Sequence, residues 1–130
     1  MCTDFESSIK EDVLSLFPDF DFDCYVFDKN HKIRQVEVNG KSVIEKTILY
    51  FDKDKYYRID VEKGNVNARR TYNNYDDLFI DLIDPFVEKQ SVKFAQLNSK
   101  NGRGFKEKYE EQKKIFSNKI SDVLSKRRAS

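Results

Sequence analysis

An α+β fold is predicted by three features of the sequence: strict alternation of apolar and polar residues over 56–62, an Asn39-Gly40 pair between two apolar runs, and apolar residues at three- and four-residue spacing near both ends. The expected architecture is an N-terminal helix, an antiparallel meander sheet of four or five strands, and two or three C-terminal helices packed on one face.

Phe5, Ile9, Val13, Leu16 and Phe17 recur at helical spacing, and Thr3 with Glu6 makes a capping box ahead of them. Pro18 stops this first helix, because the residue before a proline is pushed out of helical geometry. Phe20 to Phe27 then reads as a strand that starts in strict alternation and ends as an apolar run. Asp28-Lys29-Asn30-His31 turns the chain into a second strand, Ile33 to Val38, which Asn39-Gly40 folds back as a hairpin. In the third strand Val43, Thr47, Leu49 and Phe51 share one face while Ile44, Lys46, Ile48 and Tyr50 share the other, so it is expected to be central.

In the fourth strand Tyr57, Ile59 and Val61 face inward against Tyr56, Arg58, Asp60 and Glu62. Beyond Lys63-Gly64-Asn65, residues 66–72 alternate more weakly, as an edge strand does. Asn74 caps a helix carrying the stripe Leu78, Phe79, Leu82, Ile83 and Phe86, and Asp84-Pro85 predicts a break or kink within it. Ser91 to Leu97 is read as a further short strand, residues 98–104 as a loop, and Phe105, Tyr109, Phe116, Ile120 and Val123 as the stripe of a long last helix. Tight turns between residues 28 and 65 favour antiparallel order, since parallel strands need crossovers of about a dozen residues.

At 130 residues one core suffices, so residues 1–130 are expected to form a single domain. Charged residues reach 36%, yet eleven Phe and seven Tyr supply bulk that disordered chains lack. The longest apolar run, Ile48 to Phe51, is far short of the roughly 20 residues that cross a bilayer. Acidic residues where a secretory signal needs basic ones, and two cysteines that suit reduced thiols, make the cytoplasm the expected location. Net charge is +1 but polarised: residues 1–30 hold two Lys against eight Asp/Glu, whereas residues 91–130 hold eleven Lys/Arg against four Asp/Glu.

The single histidine, His31, sits between lysines in a predicted turn, and Cys24 falls mid-strand, where a thiol serves as a small apolar filler, so a Cys-His nucleophilic dyad is not expected. Asp19, Asp21 and Asp23 have the spacing that opens a calcium loop, but Cys24 stands where that loop needs glycine and Asn30 where it needs glutamate. As strand residues they would instead form an acidic stripe on one face. No glycine-rich phosphate cradle occurs among four glycines. The expectation is therefore no enzyme, no cofactor and no metal.

What remains is macromolecular binding. Lys-, Asn- and Ile-rich usage in a short chain has the look of an accessory gene of an AT-rich bacterium or its phage, where immunity proteins that neutralise a toxin and phage counter-defence proteins that neutralise a host-defence effector are common. The sequence thus predicts a protein-binding inhibitor that occludes a partner's basic active surface with Asp19, Asp21, Asp23, Asp76, Asp77 and Asp81. The alternative is a nucleic-acid-associated accessory protein using Arg69, Arg70, Arg103, Lys126, Arg127 and Arg128, against which stand the near-neutral charge and the glutamates interleaved in the last helix.

Overall fold

Apolar residues four apart bury one face of α1 (Phe5–Leu16), where Ile9 and Val13 are fully enclosed and Ser8 and Asp12 are buried beside them. The computed structural model describes residues 5–28, 37–38, 41–43, 45–100 and 103–129. Thr3 of the capping box, His31, most of the second strand, the Asn39-Gly40 turn, Ile44 and residues 101–102 of the loop lie outside them. The chain is α+β: α1, a four-stranded mixed sheet, and two C-terminal helices. It divides into two compact units, Met1–Leu78 and Phe79–Ser130.

The first unit holds α1, β1 (Tyr25–Phe27), β2 (Glu37–Val38), β3 (Lys41–Ser42), β4 (Thr47–Asp52), β5 (Lys55–Glu62) and β6 (Asn65–Tyr72). The main sheet runs β1-β4-β5-β6, with β4 inside and β6 at an edge. Two hairpins make β4-β5-β6 the antiparallel part: Asp52 pairs with Lys55 and Glu62 with Asn65. Their turns place Lys53, Asp54, Lys63 and Gly64 at positive φ, as the primed two-residue turns require. A bulge at Asp60/Val61 shifts the β5–β6 register.

The meander is not wholly antiparallel: β1 lies parallel to β4, with Tyr25 opposite Thr47, Val26 opposite Ile48 and Phe27 opposite Leu49. The stretch 28–46 exceeds the dozen or so residues a parallel crossover needs. Within it Glu37 pairs with Ser42 and Val38 with Lys41, so β2 and β3 form a separate two-stranded ladder and leave β1 and β4 to pair directly.

Register sorts the two sheet faces. Ile48 and Ile59 lie opposite each other and join Val43 and Val61 in a buried cluster, with Val26 and Tyr50 packed against it. On the other face Leu49 is fully buried, and Phe5 of α1 packs its ring at 5.7 Å from Phe27 and 5.4 Å from Tyr56. Tyr56, expected to face outward, is thereby half-buried under the helix.

In α2 (Tyr75–Asn98), Asn74 Oδ1 accepts the Asp77 N–H at 2.8 Å, the expected cap. Pro85 neither ends nor splits this helix, and Ser91 to Leu97 is its continuation rather than a strand. Ile83, Val87, Ser91 and Ala95 are all buried at four-residue spacing, so burial of one face continues through the proline and outweighs its missing hydrogen bond. Gly104, at φ 81°, precedes α3 (Phe105–Ala129), whose Phe116 and Leu124 are buried. Glu88 of α2 accepts hydrogen bonds from the Tyr109 hydroxyl and, at 3.1 Å, from Lys113 Nζ of α3. No helix among the described residues is long and apolar enough to cross a membrane.

Candidate functional site

Residues 18–24 form two successive turns and not the expected strand. Phe20 N–H donates to the Phe17 carbonyl at 3.0 Å, Tyr25 N–H to the Phe22 carbonyl at 2.9 Å, and Asp23 N–H to Asp21 Oδ1 at 2.8 Å. These bonds close locally because β1 is an edge strand that finds its ladder only from Tyr25 onward, against Thr47 of β4. The carboxylates Asp19, Asp21 and Asp23 therefore do not stripe one face of a strand, yet all three are exposed. Cys24 is exposed in the second turn instead of filling a core, and its carbonyl accepts the Thr47 N–H at 2.8 Å.

What these turns build is an aromatic block. Phe20 and Phe22 sit 4.8 Å apart, Phe20 stacks on Tyr25 at 5.9 Å, and Phe22 meets Tyr25 at 6.0 Å and Phe27 at 6.3 Å. All four rings are half-buried. Lys10 of α1 lies over them, its Nζ 5.9 Å from the Phe22 ring and 5.4 Å from the Phe27 ring, and Glu6 holds that ammonium at 2.7 Å. The aliphatic stem of Lys10 belongs with the apolar block and its head with the acidic surroundings.

Tyr25 leads on to a polar patch of the same sheet face. Opposite it Thr47 donates its hydroxyl to Asp60 Oδ1 at 2.9 Å, and Arg58 Nε donates to that oxygen at 3.0 Å. Burial lowers the Arg58 pKa, but the hydrogen bond and charge of Asp60, with smaller contributions from Tyr25 and Tyr72, outweigh it and leave the guanidinium more firmly protonated. Arg58 is a fixed cation held by its own carboxylate.

The remaining predicted residues are spread. Asp76 and Asp77 occupy the first turn of α2, where a carboxylate meets the positive end of the helix dipole, and Asp81 belongs to the second unit. Arg69 and Arg70 are exposed neighbours on β6, so they leave the sheet on opposite faces. Arg103 precedes α3, and Lys126, Arg127 and Arg128 occupy its last turn, complementing the dipole there. Among the described residues no group of three His, Cys, Asp or Glu side chains is arranged to hold a metal ion. Phe20, Phe22, Tyr25 and Lys10 do not stand out in the sequence as a site; their signal is the Phe-Asp-Phe-Asp repeat, which a strand and an aromatic cluster share.

No protein family profile, no curated protein and no solved structure matches this chain.

Proposed function

We propose that this protein binds another protein and works by occluding a basic surface on it, in the manner of an immunity-type inhibitor. One observation carries the proposal: a contiguous block of half-buried aromatic rings, Phe20, Phe22 and Tyr25, fringed by the exposed carboxylates Asp19, Asp21 and Asp23. Aromatic anchors surrounded by polar groups are the usual composition of a protein–protein contact. Rim carboxylates would steer a basic partner and exclude an acidic one. The separation of Arg69 from Arg70 by the strand pleat, and the division of the other basic residues among loop and helix end, favour this reading over nucleic-acid binding, which needs cations along one phosphate path.

The test is affinity capture from the native host with three baits: the wild type, a Phe20→Ala/Phe22→Ala variant, and an Asp19→Lys/Asp21→Lys/Asp23→Lys variant. The expected result is a basic protein retained by the wild type and lost with the aromatic variant, each ring contributing about 1–4 kcal/mol. The charge variant should slow association and flatten its dependence on salt. Equal recovery by all three baits would overturn the proposal.

A further inference from the structure

The second unit is a helical hairpin whose α2 and α3 arms enclose an open groove of about 490 Å³. Its floor is apolar, formed by Ile83, Val87 and Leu124 with Ile120, and Ile80 stands at its wall 44% exposed. The rims differ in sign: Asp84 lines the α2 side, Lys113 and Lys114 the α3 side. Asp84 is one turn before Glu88, which both Tyr109 and Lys113 reach, so along the antiparallel hairpin Asp84 stands within about one turn of Lys114. The helices as a whole repeat this division, with five acidic residues against two lysines in α2 and eight basic against four acidic in α3.

We infer that the occupant of this groove is the same groove of a second copy of the chain. A two-fold face-to-face pairing can be made about either of two axes. An axis across the helices sets α2 on α2 and α3 on α3, like charge on like. An axis along the groove sets each α2 on the partner's α3, so that Asp84 meets Lys114 of the second copy twice, once on each side. Charge selects the second arrangement, a four-helix layer pair with the exposed Ile80 and the half-buried Ile120 at its centre, above the already buried Ile83, Val87 and Leu124. A binding protein with this design presents two copies of its aromatic block, but the dimer rests on the second unit alone and stands or falls separately from the function proposed above.

The experiment is sedimentation equilibrium of the full chain from micromolar to submillimolar concentration. The wild type is expected to show a reversible dimer. Asp84→Lys alone and Lys114→Glu alone should each weaken it at least about tenfold, which is about 1.4 kcal/mol. Mixing these two variants should restore association to near the wild-type strength. In the mixed dimer the two reversed side chains, one from each variant, face each other on one side, and the native Asp84 and Lys114 face each other on the other. Ile80→Glu, and independently Ile80→Ser, should yield monomers whose far-ultraviolet circular dichroism and melting match the wild type. A wild type that stays monomeric throughout, or single variants that dimerise unchanged, or a mixture no tighter than its components, would each overturn the inference.

Discussion

Tyr75 gives up its place in water to reach a carboxylate on the buried face of α1: its hydroxyl donates to Asp12 Oδ2 at 2.6 Å, and Asp12 is only 6% exposed. A buried charge without that bond costs more than the bond itself is worth. Tyr75→Phe is therefore expected to destabilise the first unit by about 1–3 kcal/mol, measured by urea denaturation. Ser91 is the opposite case. Its hydroxyl is fully buried in α2 with no hydrogen-bond partner among the described residues, so Ser91→Ala should raise stability, by about 1 kcal/mol in the same measurement. At the surface, the Tyr109 hydrogen bond first and Lys113 second hold the Glu88 carboxyl below the usual glutamate range. Its stabilising effect is present above the ordinary glutamate pKa and is lost as pH falls through the lowered folded value. Glu88→Gln should accordingly flatten the acid limb of the melting-temperature profile and leave Tm unchanged at pH values below the lowered folded pKa.

Among the elements, α2 and β6 carry local liabilities that the fold has to manage. Pro85 is exposed in the interior of a 24-residue helix, where it removes a hydrogen bond and crowds the preceding turn. Pro85→Ala should stabilise α2 by about 1–3 kcal/mol in chemical denaturation, while the helical content stays the same. The edge strand β6 offers unpaired backbone groups to other chains, and its exposed Arg69 and Arg70 discourage that pairing by charge. A double change of these arginines to Val should promote aggregation visible by light scattering.

Across the whole molecule, a net charge of +1 conceals an acidic beginning and a basic end, and association should therefore depend on the local field of each and not on the total. Much of the architecture is legible in residues whose role is local: the spacing of Ile9 and Val13, the proline that stops α1, the Asn74 cap, the strict alternation of β5, and the apolar stripe beginning at Leu78. The Phe-Asp-Phe-Asp segment reads as a strand and folds as turns, because alternation records only a difference between successive side chains, and turns around a ring cluster preserve it equally well. Ser91 to Leu97 and Pro85 mislead in another way: short windows cannot show that burial at every fourth residue runs unbroken from Ile83 to Ala95. Of the candidate site, the exposed carboxylates Asp19, Asp21 and Asp23 are legible as charge, whereas the ring cluster they fringe is not, since it needs α1 to bring Lys10 across it. By itself, then, the order of residues determined the fold class, the central and edge strands, and the places of the hairpins, since propensity, turn chemistry and periodicity act over a few neighbours. Only the tertiary structure decided that β1 runs parallel to β4, that helix outlasts proline in α2, and that Phe20, Phe22 and Tyr25 gather into one block with Lys10 over Phe22 and Phe27. Those outcomes depend on which distant surfaces meet and bury one another, and that free energy is stored in no short stretch of the chain.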